Sequence, residues 1–198
     1  MTHPDVSDVQ IVAFDGMEVL DYAGPYEVFN VAGERSGGRF RVASVGVTAE
    51  PAGRGGFRVV PDFTIDNAPA ADILIFPGGR GTRALAQDER VLGWLRGHAA
   101  DASLLLTVCT GALVAGAAGL LDGLEATTHH GAFDELAAIS PTTTVRRGPR
   151  FVRASDRIRT SAGVSAGTDL ALAIIEELAG AELRAAVEDE MEWMWPDR

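Results

Sequence analysis

Apolar and polar positions follow two patterns along this chain: short solid apolar runs, and longer stretches with helical spacing. Residues 9–14, 40–47, 73–76 and 104–108 are runs of Val, Ile, Leu and Phe with few charges, as expected of strands covered on both faces. Between the first two, Pro25, Val28, Phe29 and Ala32 share a face of a helix predicted to open at Gly24-Pro25. Between the last two, Val91, Leu92, Leu95 and Ala99 share a face of another. This alternation implies parallel strands joined by right-handed crossovers, hence an α/β three-layer sandwich with a mostly parallel central sheet.

The second half continues the theme with less regularity. Residues 110–121 read as a helix that begins directly after the fourth strand, with no loop between them. Residues 143–147 and 151–154 flank Gly148-Pro149 as a hairpin or meander would, and 157–161 read as another strand. A helix starting near Gly167 has Leu170, Ala171, Ile174, Ile175 and Leu178 on its apolar face, with Glu176 and Glu177 outward. The tail, 181–198, reads as one more acidic helix ending in Trp193 and Trp195. No repeat or linker interrupts the 198 residues, so a single domain, 1–198, is expected.

Composition narrows the chemistry. A net charge of −11 repels phosphate backbones and anionic lipid, so neither nucleic acid nor a membrane surface is an expected partner. All 17 basic residues are arginines, and without a lysine the chain has no Schiff-base, pyridoxal-phosphate or Walker-lysine chemistry. The one cysteine, Cys109, makes no intrachain disulfide or thiolate metal cage by itself, and no metal or organic cofactor is expected. The first residues lack a basic stretch followed by an apolar one, and the weakly polar run 112–121 is too short to span a bilayer. A cytoplasmic location is expected.

Two motifs have ordinary structural readings. Gly163-Val164-Ser165-Ala166-Gly167 matches G-x-S-x-G, but a hydrolase of that type needs a histidine later in the chain, and His3, His98, His129 and His130 all precede Ser165. It reads as a glycine-rich turn before a helix. Gly79-Arg80-Gly81-Thr82-Arg83-Ala84 fits G-x-G-x-x-A, yet no acid stands at the end of the following strand to bind a ribose. Pro77-Gly78-Gly79 is better used as a tight turn that exposes backbone N–H groups beside a ligand. The informative segment is Thr107-Val108-Cys109-Thr110-Gly111. A cysteine wedged between a buried strand and the first turn of a helix has a strained backbone and faces the open crevice, where helix-terminal N–H groups favour a thiolate. A small buried hydrophobe is the alternative reading of Cys109.

Five blocks together resemble the ThiJ/PfpI superfamily, relatives of the class I glutamine amidotransferases. They are residues 19–25 around Asp21, Pro77-Gly78-Gly79, Val108-Cys109-Thr110-Gly111, Ala126-Thr127-Thr128-His129 and residues 160–169. Isonitrile (isocyanide) hydratases are the most similar branch: they place an acid in a Leu-Asp-x-x-Gly-Pro block, here Asp21, and follow the nucleophile with Thr-Gly. The peptidase-like branch puts histidine after the cysteine, where this chain has Thr110. The resemblance implies a flavodoxin-like fold with a cysteine nucleophile elbow, a small-molecule substrate and a homodimer. It further implies Cys109 as nucleophile, Asp21 as proton donor, backbone groups at Gly79 and Thr110 binding the intermediate, and His129 as a possible auxiliary. His129 and His130 are expected on different sides of an extended segment and make no metal pair. Two rival functions carry similar blocks: the ligand-sensing amino-terminal domain of AraC-type regulators, though without the basic patch their DNA-binding module is not expected here, and a redox or carbonyl-stress protein using the same cysteine.

Overall fold

In the computed structural model, which describes residues 6–193, the apolar runs become strands β1 (Ser7–Ala13), β2 (Phe40–Gly46), β4 (Ile73–Phe76) and β5 (Leu104–Val108). With β3 (Phe63–Thr64), β8 (Phe151–Arg153) and β9 (Ile158–Ser161) they form a seven-stranded sheet ordered β3-β2-β1-β4-β5-β9-β8. Every pairing is parallel except β8 against β9. All side chains of β4 and β5 are buried, which explains their unbroken apolar character: helices cover both faces of the sheet.

Helix α1 (Val19–Arg35) links β1 to β2, while α3 (Glu89–Asp101) links β4 to β5 in the opposite direction across the sheet. Right-handed crossovers therefore set these helices on opposite faces. Helices α6 (Ala166–Ala179) and α7 (Ala181–Glu190) pack with α1, and α2 (Thr82–Leu85), α4 (Gly111–Ala117) and α5 (Phe133–Ile139) join the α3 side. The outcome is the flavodoxin-like three-layer arrangement. Strand order reverses between β1 and β4, so the carboxyl ends of these strands and of neighbouring β5 border a crevice at a topological switch point.

Four segments differ from the sequence expectation. Helix α1 starts at Val19, well before Gly24-Pro25, and holds Pro25 inside it. The proline forfeits the i→i−4 bond to the Asp21 carbonyl. The early turn is secured by tertiary structure instead, with Glu18 N–H donating to Gly78 O at 2.8 Å. Helix α4 ends at Ala117, and Gly119, at φ +77°, turns the chain soon after. Residues 143–147 and 151–154 do not pair with each other. Instead β7 (Thr144–Val145) runs parallel to β6 (Glu125–Ala126) in a separate two-stranded sheet, and β8 takes the free edge of β9. The tail helix stops at Glu190, with Met191 and Trp193 packed against the core; Met194 and Trp195 lie outside the described residues. Among the described residues no helix is long and apolar enough to cross a membrane.

Candidate active site

Cys109 stands directly between β5 and the residue that opens α4, with φ +56°, a left-handed conformation that costs a side-chain-bearing residue about 1–2 kcal/mol. The surrounding backbone holds it there. Its N–H is shared between Ser161 O at 3.1 Å and Ala162 O at 3.2 Å, and its C=O accepts the Thr128 hydroxyl at 2.7 Å. Glycines make the elbow possible: a Cβ on Gly111 would sit 2.2 Å from Phe76 O, and one on Gly78 would sit 2.7 Å from Cys109 Cβ. The late Ala126-Thr127-Thr128-His129 block thus clamps the elbow from below through Thr128, while Thr127 N–H donates to Thr160 Oγ1 at 2.8 Å on β9.

Asp21, in the first turn of α1, is fully buried and meets Cys109. Its Oδ2 accepts the Gly78 N–H at 3.1 Å, its Oδ1 accepts the Val164 N–H at 3.0 Å, and it is hydrogen-bonded to the Cys109 side chain. Burial pushes the Asp21 carboxyl up to about 7, against the three hydrogen bonds that favour its charge. Burial, and then the Asp21 charge, push the Cys109 thiol up to about 12. The depressed thiol pKa expected from the helix terminus is therefore overturned. Helix α4 is one of seven residues, and the Thr110 N–H that favours the thiolate is outweighed by burial and by the neighbouring carboxylate. Two negative charges side by side in a buried crevice are too costly, so the pair keeps at least one proton throughout the neutral range.

Thr110 and Gly79 interlock. The Gly79 N–H donates to Thr110 Oγ1 at 2.8 Å, and the Thr110 hydroxyl donates to Gly79 O at 3.0 Å. The Gly79 donor, expected to face a ligand, is thus engaged within the protein, and the turn serves to fix Thr110 beside the sulfur. His129 lines the same cavity as Cys109, and a Cβ added to Gly163 would touch both, 2.4 Å from His129 Cδ2 and 3.3 Å from Cys109 Sγ. Its Nδ1 accepts the Gly131 N–H at 3.1 Å, so in the neutral ring the proton is on Nε2. Burial, then His130, then Arg83 lower the His129 pKa. The two histidine rings do not diverge as expected: the 3-10 turn at His130 brings their centroids to 4.1 Å. Among the described residues no cluster of His, Cys, Asp and Glu could hold a metal ion.

The cavity over Cys109 encloses about 600 Å³, a size suited to a small organic molecule. Its wall includes residues that the sequence did not single out, namely Glu18 and Arg54. The G-x-S-x-G segment contributes through Val164, whose φ of +56° aims its N–H at Asp21. Ser165 Oγ accepts from Arg150 Nη2 at 3.2 Å. The glycines flanking Val164 and Ser165 were the signal for a strained turn, but its aim at a residue in the first helix was not readable from spacing.

A fold with a parallel sheet and a cysteine elbow at the carboxyl ends of its strands defines a class, and comparison with known proteins places the chain within it. Residues 7–177 match the DJ-1/PfpI family, and the chain belongs to that family. It is 33% identical over 185 residues to the isonitrile hydratase of Pseudomonas putida, covering 93% of this chain and 78% of that one. It is 34% identical over 135 residues to the HTH-type transcriptional regulator GbdR of Pseudomonas aeruginosa, a match over 68% of this chain but 36% of the regulator. A ThiJ/PfpI family protein from Pseudomonas syringae superposes with a TM-score of 0.85 at 29% identity, over 96% of this chain and 77% of the other.

Proposed function

We propose that this protein hydrates an isonitrile to the N-substituted formamide, with Cys109 as nucleophile and Asp21 as the proton carrier. The observation that carries the reading is Cys109 at the wall of the cavity with the fully buried Asp21 carboxyl, raised to about 7, hydrogen-bonded to its thiol from behind. The similarity to an isonitrile hydratase over most of the chain supports the substrate class.

The chemistry balances on these two residues. Sγ bonds to the terminal isonitrile carbon as the proton held by the pair passes to that carbon, giving a thioformimidate, R–N=CH–S–Cys109. Water then adds to the same carbon. Asp21 takes one proton of the water and passes it to the nitrogen, and as the C–S bond breaks the remaining hydroxyl proton moves to the sulfur, leaving R–NH–CHO and the free thiol. A carboxyl with a pKa of about 7 exchanges protons in both directions at working pH, which is what each half-reaction requires. Thr110, whose hydroxyl is anchored on Gly79, supports the sulfur through its N–H, and His129 with a proton on Nε2 is an auxiliary donor at the cavity wall. Proton NMR of the protein mixed with a simple isonitrile is expected to show a growing formyl resonance; an unchanged isonitrile contradicts the reading.

A second reading, a ligand-sensing domain, is favoured by the match to GbdR. It replaces the first if a small metabolite raises the melting temperature while no isonitrile is consumed. We further propose that residues 1–198 act as one domain and associate as a homodimer.

A further inference from the structure

The arginines of this chain are mostly committed. Twelve of them form ion pairs with Asp or Glu, and Arg39 and Arg157 donate to backbone carbonyls. Of the arginines around the cavity, Arg54 pairs with Glu18 at 2.8 Å, and Arg83 grips Glu135 with two bonds of 2.9 and 2.7 Å. Arg80 lines the same cavity, is exposed there, and has no side-chain acceptor among the described residues. The lining therefore carries one uncompensated positive charge, in a chain whose net charge is −11.

Arg80 is also displayed from a rigid mount. It stands between Gly79, at φ +135°, and Gly81, and both glycines press against the 15–18 loop. A Cβ on Gly79 would meet Gly16 O at 2.4 Å, and one on Gly81 would meet Asp15 O at 2.0 Å. Glu18 N–H to Gly78 O at 2.8 Å closes the same contact. The G-x-G-x-x-A motif, which finds no nucleotide role, thus fixes where the Arg80 side chain leaves the backbone, next to the turn that anchors Thr110.

We propose that Arg80 is a specificity-determining residue that binds a carboxylate on the substrate, so that the preferred substrate is a monoanionic isonitrile. The substrate part of this inference rests on the hydratase reading; the anion site does not. A guanidinium offers a carboxylate two parallel N–H donors, and a single free cation matches a single negative charge. Attraction must act at short range, because the field of the whole chain repels anions.

The test compares a 4-isocyanobenzoate with the corresponding 4-isocyanobenzamide, and the two product formamides as non-reacting ligands. In the wild-type protein, kcat/KM for the acid is expected to exceed that for the amide by about tenfold or more, the discrimination typical of a charged hydrogen-bonding pair. By calorimetry, 4-formamidobenzoate is expected to bind more tightly than its amide by a similar factor, and less tightly as salt is raised. In Arg80→Ala the acid-to-amide ratio falls toward one in both assays, and Arg80→Lys restores part of it; melting curves confirm that both variants are folded. Equal handling of acid and amide by the wild type, no binding of either formamide, or a ratio that survives in Arg80→Ala overturns the proposal. If no isonitrile is consumed yet acid-selective binding appears and depends on Arg80, the hydratase reading falls and the anion site stands.

Discussion

The Val164 N–H donates to Asp21 Oδ1 at 3.0 Å, joining two residues 143 positions apart, and Val164 adopts φ +56° to do so. A β-branched residue in the left-handed region is an unfavourable choice, sustained only where the surrounding structure fixes it. With Gly78 N–H on Oδ2, the Asp21 carboxyl is oriented from both sides while its remaining reach is toward Cys109.

Replacing Asp21 by Asn tests proton delivery. The amide cannot carry a proton between sulfur, carbon and water, so turnover is expected to fall about 100-fold or more. The structure adds a stability cost. Both Asp21 oxygens accept backbone N–H groups, so one donor will face the Asn NH₂, a loss of about 1–3 kcal/mol. Steady-state rates and denaturant melts on the same preparation check both; normal turnover would assign the proton to another group.

The pH dependence of that stability difference has a definite sign. The folded pKa of Asp21, about 7, lies above the ordinary carboxyl value of 3.8, so the folded state holds a proton that the unfolded state releases. Its contribution is fully present below about pH 4 and is lost as pH rises through 7. Relative to Asp21→Asn, the wild type is expected to lose stability across that window, so the gap between the two narrows. Denaturant midpoints measured from pH 4 to 8 decide it; a constant or widening gap contradicts the raised carboxyl.

Cys109 reactivity reports the other half of the pair. With the thiol pushed up to about 12, alkylation by iodoacetamide at neutral pH is expected to be slower than for a free cysteine. Removing the carboxylate in Asp21→Ala lowers the thiol pKa and speeds alkylation. Thiolate ultraviolet absorbance against pH gives the same answer without a reagent. A wild-type thiolate already formed well below pH 8 would restore the helix-terminus activation that the sequence suggested.

Gly163 separates the two groups that its missing side chain would touch. Gly163→Ala places a methyl 2.4 Å from His129 Cδ2 and 3.3 Å from Cys109 Sγ, and the imidazole is the part free to move. The melting temperature is expected to change little, while kcat/KM falls on the order of 10- to 100-fold through misplacement of site groups. Unchanged kinetics would remove His129 from the reaction.

Apolar surface near the cavity bears on assembly. Met191 and Trp193 of the tail pack against the core, whereas Leu20, Phe57 and Val60 are exposed, Val60 at 86%. Leu20 and Phe57 flank the Glu18–Arg54 ion pair in sequence. Sedimentation at micromolar concentration is expected to show a dimer that Phe57→Glu with Val60→Asp dissociates. A wild-type monomer contradicts this.

Much of this architecture was legible in the sequence because it depends on local periodicity. The solid runs at Ile73–Phe76 and Leu104–Val108 became central strands with those bounds, since only strands covered on both faces need such uniform burial. The elbow at Cys109 followed from a strand meeting a helix without a loop. The rest depended on contacts across the chain. The early start of α1 is fixed by Gly78, the pairing of β8 by the edge of β9, and the proton balance of Cys109 by a carboxylate 88 positions earlier in the chain. Charge pairing was equally hidden: nothing in the spacing told that Arg54 and Arg83 would be paired and Arg80 left facing the cavity.

The central claim, a cysteine-dependent hydration of isonitriles, is tested most directly by infrared spectroscopy of the isonitrile stretch in the presence of the purified protein. The account predicts steady loss of that band with catalytic amounts of wild-type protein, matched by formamide, and no loss above the uncatalysed background with Cys109→Ala. Persistence of the band with the wild type, or its equal loss with Cys109→Ala, would contradict it.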